Sequence, residues 1–546
     1  MKYAIQNMAT EWAYVSGKAY QDPFNDVQLD VVVTTPNGHQ QTVPAFWAGE
    51  NVWRVRYAAT QVGAHHYRSI CSDSSNADLH GQEDILEITP YTGNNPLLAH
   101  GTLRVGINQR HLEHADGTPF FWLADTWWMG FCKRLKWPEE FHELTADRVA
   151  KGFNVIQIIA GLYPDMPWHD ERGANEAGFP WDKNFTRINP AYFDMMDLRI
   201  AHMVSMGLLP CIAGFWGYFL DFTSFDVLKK HWRYLIARYS AYPVIWCAAG
   251  EALMPYYQSA DFERMLGMLA KGEHWLPADR RATWSELLRY IRALDPAHHP
   301  LTIHPMHYGH DQIDDPSLMD IDWLQTGHGS HRSLPGMVDM VEVALAHEPK
   351  MPVLVSEGNF EGILESSREE VQRFMFWAAM LSGAMGHTYG ANGVWQVNRK
   401  EQPYGPSPHG LSWGDRPWNE AYPLPGSAQM GVGKQFFERY PWWQFEPHPE
   451  WIEPHHTKDN RFAPYAAGIP GKVRVIFLPV ESIRMTDTDQ PVIGQLELGV
   501  SYRAFYVNPS NGAETECGAA MADADGNYRL PKASIFRDWV FVLECK

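Results

Sequence analysis

Eight short apolar runs lie between residues 120 and 390, and longer stretches separate them. They are FFWLAD (120–125), FNVIQIIA (153–160), LLPCIAGFW (208–216), PVIWCAAGE (243–251), PLTIHP (300–305), DWLQTGH (322–328), PVLVSEG (352–358) and AMGHTYG (384–390). Most are continuously apolar rather than alternating, the pattern of strands buried on both faces. The intervals carry helical stretches such as FHELTADRVAKG, YFDMMDLRIAHMVSMG and REEVQRFMFWAAMLSG. Eight strands with intervening helices over roughly 300 residues predict an α/β chain built on a (β/α)8 TIM barrel. A doubly wound sheet is the structural rival, but no glycine-rich phosphate turn follows FFWLAD.

The flanks have a different texture. Residues 1–97 hold short alternating runs broken by Pro, Asn and Gly, as in VQLDVVVTTPNGHQQTVPAFW. Residues 448–546 return to that pattern, with an Asn508-Pro509-Ser510-Asn511-Gly512 turn between two strands. Antiparallel β-sandwich domains are therefore expected at both ends, around a barrel domain spanning 98–447.

With 45 basic against 64 acidic residues, the formal charge is −19, and the acids are dispersed. A nucleic-acid or anionic membrane partner needs a basic surface, so both are set aside. No apolar run of about 18 residues is present to span a bilayer. The N-terminal MKYAIQNMATEWAYVSG lacks the features of a signal peptide. A cytoplasmic location is expected, or a secreted or periplasmic one where a leader has been removed. The six cysteines form no CxxC pair and are expected to be reduced, buried thiols. Homo-oligomerisation is left open.

In a (β/α)8 barrel the working residues stand at the C-terminal ends of the strands. Two carboxylates stand out there, Glu251 after the fourth run and Glu357 at the end of the seventh. Roughly 100 residues separate them, close to three βα units. Glycosidic hydrolysis needs two such acids: one protonates the leaving oxygen, and the other attacks the anomeric carbon or activates water. The 23 tryptophans of the chain suit stacking on sugar faces. A single Glu after a strand is more often a cap or an ion-pair partner; a pair among Trp, Tyr and His is harder to explain that way.

The segment GTLRVGINQRHLEHADGTPFFWLADTWW is similar to the entry of the catalytic domain of the apiosidase-like glycoside hydrolases, a barrel family of the clan A type. YPVIWCAAGE, LTIHP, WLQTGH, PVLVSEGNFEG and GAMGHTYGANGVWQ continue the resemblance in order across the middle zone. The resemblance implies a retaining enzyme, with the acid/base at the end of strand four (Glu251) and the nucleophile at the end of strand seven (Glu357); exo action is expected. It also suggests a furanosidase or apiosidase-like activity on plant-derived glycans, and flanking sandwiches are common in the family. One departure is that Gly250-Glu251 stands where the clan usually has Asn-Glu.

The expected substrate is a carbohydrate. Asp125 is expected to accept hydrogen bonds from sugar hydroxyls, with capping of the next helix as the alternative. Trp127, Trp128, Trp216 and Trp395 are candidate subsite walls, each with core packing as its alternative. His304 and His328 are candidate sugar contacts, Gln157 is a weaker one, and Tyr389 is expected to hydrogen-bond the nucleophile. Glu361, four residues beyond Glu357, is expected at the rim. The histidines of HHPLTIHPMHYGH invite a metal-dependent hydrolase, but no HExxH helix or carboxylate triad accompanies them, and no metal or cofactor is expected. A catalytically inactive carbohydrate-binding barrel is the other alternative.

Overall fold

A computed structural model describes residues 1–484 and 486–545. Its centre is a parallel eight-stranded sheet. The strands are β1 (Trp122–Thr126), β2 (Val155–Ile159), β3 (Leu209–Ala213), β4 (Ile245–Cys247), β5 (Leu301–Thr302), β6 (Asp322–Gln325), β7 (Val353–Glu357) and β8 (Gly386–Tyr389). Each lies within one of the eight apolar runs, except that β1 continues one residue past its run, to Thr126. Hydrogen-bonded neighbours follow the order β5-β4-β3-β2-β1-β8-β7-β6, so the sheet nearly closes on itself. At the β5/β6 seam the Leu301 N–H donates to the Asp320 carboxylate, and Thr302 Oγ1 donates to the Ile321 carbonyl.

Both faces of these strands are buried, which is why their sequences do not alternate. The outer layer comprises α1 (Glu139–Ala150), α2 (Pro190–Ser205), α3 (Phe225–Tyr239), α4 (Ala260–Leu269), α5 (Ala278–Leu294), α6 (Leu334–Ala346), α7 (Glu369–Leu381) and α8 (Pro425–Phe437). Proline at the first position starts α2 and α8, where its missing N–H costs nothing. The expected alternation fails once, because β5 and β6 are joined without an α-helix. That connection holds Pro305 and Pro316 and lacks a helical period, so it crosses as loop and one short 3₁₀ turn at Pro316–Leu318.

Two sheets precede the barrel. One has five strands, and its Lys2–Ile5 edge pairs in parallel with Glu83–Thr89, an exception to the antiparallel pattern expected there. The other has three strands around Val52–Tyr57. Leu29, Val31, Val33, Trp53, Val55 and Leu86 fill the space between them. Arg56 joins this unit to the barrel, reaching Glu11, Asp197 and the Arg238 carbonyl. A three-stranded sheet, Leu103–Val105, Leu112–His114 and Pro119–Phe120, leads into β1 and shares the barrel core.

After the barrel, a six-stranded sheet packs against a three-stranded one over Ile476, Tyr506, Phe541 and Leu543. The other face of the larger sheet, with Val475, Phe477 and Val542, joins the barrel core. The Asn508–Gly512 turn links Ser501–Val507 to Glu514–Met521, with Gly512 in the left-handed region. Of the six cysteines, Cys71, Cys132, Cys211 and Cys247 are buried free thiols, whereas Cys517 is half-buried and Cys545 exposed. Those two occupy strands of the C-terminal sheet, where one face meets solvent.

Candidate active site

Glu357 is the last residue of β7, 6 % exposed at the barrel mouth. Gly358 follows because a Cβ there would meet the Met375 methyl at 2.2 Å. Trp128, two residues past β1, donates Nε1–H to Glu357 Oε2 at 3.2 Å. His304 Nε2 lies 3.3 Å from the same oxygen, and His328 Nε2 lies 3.1 Å from Oε1. Burial alone would push the Glu357 carboxyl up. The two imidazoles override it and hold the acid down at about 2, so it is an anion.

Glu251 is built differently. It follows β4 in a left-handed conformation, φ 38°, a strained setting for a side-chain-bearing residue. Trp216 donates Nε1–H to Glu251 Oε2 at 3.1 Å. The same indole lies on Gly250, where a Cβ would sit 2.1 Å from Trp216 Cε3. That contact explains the departure from Asn-Glu: no side chain fits beneath Trp216. Burial in the mouth, and next the Glu357 anion, push the Glu251 carboxyl up to about 7, offset in part by Gln325.

Gln325, at the end of β6, links the two acids. Its Nε2 donates to Glu251 Oε1 at 3.0 Å and to Glu357 Oε1 at 3.2 Å. Trp128, Trp216 and His304 pack on one another with ring centroids 5.3–5.7 Å apart, buttressing both carboxylates. The acids open onto a cavity of about 220 Å³. Its far wall comes from the loops and one helix start beyond the strands: Asp165 after β2, Met254 and Tyr257 after β4, Phe262 in the first turn of α4, and His409 and Trp413 after β8. Phe360 and Trp395 complete the side next to Glu357.

Trp128, Trp216, His328 and Trp395 thus meet Glu251 and Glu357 around one cavity. His304 is fully buried behind Glu357 and reaches the carboxylate rather than the cavity. Other expected contacts do not reach the mouth. Asp125 is fully buried, accepting from Arg148 Nε at 2.6 Å, Trp127 Nε1 at 2.6 Å and Thr126 N–H at 2.9 Å. It anchors α1 to β1 and has no access to a sugar. Trp127 points the same way and packs edge-on against Phe141. Gln157 is buried within the barrel, donating to Thr388 Oγ1 at 3.1 Å.

Tyr389 bonds Glu361 rather than Glu357. Glu361 is not at the rim: it is 2 % exposed, and its backbone pairs with Gly390 and Ala391. Its carboxylate also accepts the Gly426 N–H at the start of α8. Burial pushes it up to about 7, with Tyr389 and Gly426 opposing. The histidines of residues 298–310 part company, His299 toward Asp295, His304 toward Glu357 and His310 toward Asp322. Among the described residues no group of three or more His, Cys, Asp or Glu side chains could hold a metal ion. No helix among them is long and apolar enough to cross a membrane. Sequence reasoning missed Asp165, Tyr257, His409 and Trp413, which sit on loops without a local pattern, and Phe262, which sits in the first turn of α4. Gln325 was discernible as the polar end of the sixth run.

The family profile of the apiosidase-like catalytic domain matches residues 107–444, well over half of the chain. The chain belongs to the apiosidase-like family. A domain of unknown function matches residues 2–72 of this apiosidase-like chain. Among solved structures, a glycoside hydrolase aligns with a TM-score of 0.66 and 20 % identity, over 83 % of this chain and 99 % of its own. A glycoside hydrolase family 5 protein from Bacteroides vulgatus gives 0.65 and 20 %, over 83 % and 94 %. A putative glycoside hydrolase from the same organism gives 0.66 and 17 % over the full length of both chains. At these identities the likeness is one of fold: the apiosidase-like barrel is shared with glycoside hydrolases, terminal sheets included. No curated protein matches the chain.

Proposed function

We propose that the chain is a retaining glycoside hydrolase that removes a terminal sugar by double displacement, with Glu357 as nucleophile and Glu251 as acid/base. The observation that carries this reading is the Gln325 amide shared by two carboxylates in opposite electrostatic settings. One nitrogen within hydrogen-bond reach of both oxygens keeps them within about 6 Å. Were both bonds to follow its N–H directions, about 120° apart, the oxygens would lie about 5.4 Å from each other. Retaining enzymes hold their carboxyls about 5–5.5 Å apart, whereas inverting ones need about 6.5–9.5 Å to admit water.

The protonation states agree. Glu357, kept ionised by His304 and His328, is ready to attack the anomeric carbon. Glu251, kept protonated up to about 7, can deliver its proton to the glycosidic oxygen. Once the leaving group departs, Glu251 is the anion that takes a proton from water attacking the glycosyl-Glu357 ester. Trp128, Trp216 and Trp395 offer faces to a sugar ring. A cavity of about 220 Å³ suits one terminal residue, which supports exo action.

The test is a panel of aryl furanosides and pyranosides, apioside included, followed by NMR of the first anomer released. Retention is expected, and Glu357→Gln should lose turnover while keeping its circular dichroism spectrum. Inversion, or an active Glu357→Gln protein, would refute the assignment.

A further inference from the structure

Asp165 carries a further part of this site. It adopts a left-handed backbone, φ 56°, in the loop after β2, a strained setting of the kind found at binding sites. The residue is 7 % exposed yet lines the cavity. Its Oδ1 accepts from Tyr257 OH at 2.7 Å and Ser407 Oγ at 2.6 Å, and Oδ2 accepts from Trp413 Nε1 at 3.2 Å. A carboxylate offers about four acceptor positions. One is left on Oδ2.

The remaining polar atoms of the cavity point to the same chemistry. The indole N–H groups of Trp128 and Trp216 are spent on Glu357 and Glu251. Gln325 Oε1 is buried without a protein partner, so it too is an acceptor in need of a donor. His409, whose Nδ1 accepts the Leu411 N–H, has Nε2 as its one remaining ring nitrogen. Among the described residues lining the cavity none is lysine or arginine. A carboxylate, sulfate or phosphate on the ligand would face fixed negative charge in a site of low dielectric, with no lysine or arginine in the lining to offset it. A hydroxyl, by contrast, donates to these acceptors.

We infer that Asp165 is a specificity residue, accepting a hydroxyl hydrogen bond from the bound sugar and, together with Glu357, restricting the site to uncharged glycosides. This rests on the sugar-binding reading of the cavity given above.

The test is isothermal titration of the intact wild-type protein with S-linked phenyl glycosides, which resist hydrolysis. Neutral pentosides and hexosides are compared with the matching hexuronides at pH 7. At least one neutral thioglycoside should bind, with its uronide at least 30-fold weaker. Asp165→Asn should shrink that ratio at least fivefold. Three results overturn the inference: a wild-type uronide affinity within threefold of the neutral sugar, however the variant behaves; an unchanged ratio in a folded Asp165→Asn protein; or no binding of any neutral thioglycoside. Neutral binding with no cleavage of the O-linked panel instead defeats the hydrolase reading and leaves the specificity of the cavity standing. Cleavage confined to uronides defeats only Asp165.

Discussion

Replacing Glu251 by Gln should stabilise the protein, and only at high pH. In the folded chain, burial and the neighbouring Glu357 anion raise the Glu251 carboxyl from an ordinary 4.5 to about 7. The folded state therefore holds this proton more tightly than the unfolded state, and stability falls as pH rises from 4.5 to 7. At about 1.4 kcal/mol per tenfold, the loss above pH 7 is about 3 kcal/mol, an upper bound because Glu251 keeps some exposure to the cavity. Below pH 4 it vanishes. A glutamine keeps the shape and carries no charge to desolvate, so it removes the penalty. Calorimetric melting at a matched scan rate should place Glu251→Gln up to about 3 °C above wild type at pH 8. At pH 4 the two should melt together. An advantage equal at both pH values would refute the electrostatic argument and indicate a packing effect; a less stable variant at pH 8 would refute it outright.

Other perturbations separate the site from its surroundings. Hydrolysis that needs ionised Glu357 and protonated Glu251 should give a bell in kcat/KM, rising through about 2 and falling tenfold per pH unit above about 7. An alkaline limb near 4.5 would show that the acid is not raised. Asp125→Asn leaves the buried Arg148 with Asp147 as its remaining carboxylate and should cost about 1–3 kcal/mol by urea unfolding, with KM unchanged. A raised KM in a fully stable protein would restore Asp125 to the substrate. Gly250→Asn restores the clan's usual pair but forces the Trp216 indole off Glu251, so kcat should fall at least tenfold. Unimpaired kcat would mean that the indole is dispensable.

The barrel was legible because its signal is local. A strand buried on both faces must be apolar along its length, and all eight runs contain one. A polar group that ends such a run can turn into the mouth, which is why Glu357 and Glu251 could be named from the chain alone. The β5–β6 connection was not legible, because an apolar run does not announce whether a helix follows it. Among the supporting residues, reasoning by position failed wherever the side chain's direction mattered. Asp125 and Trp128 stand three residues apart at the same strand end, yet one turns outward to Arg148 and the other inward to Glu357. Glu361 looked like rim, but its backbone pairs with β8's exit and its carboxylate meets Gly426.

The sequence by itself determined the barrel, its flanking sheets and the pair of acids, since hydrophobic period and strand-end polarity are written in neighbouring residues. Tertiary structure alone decided what those acids can do. Gln325, His304, His328, Trp128 and Trp216 come from four other strand ends, and Asp165, Tyr257 and Trp413 from three loops. Their contact depends on barrel closure. A carboxylate's proton affinity is set by the charges and donors within a few ångströms, and closure places those around Glu251 and Glu357.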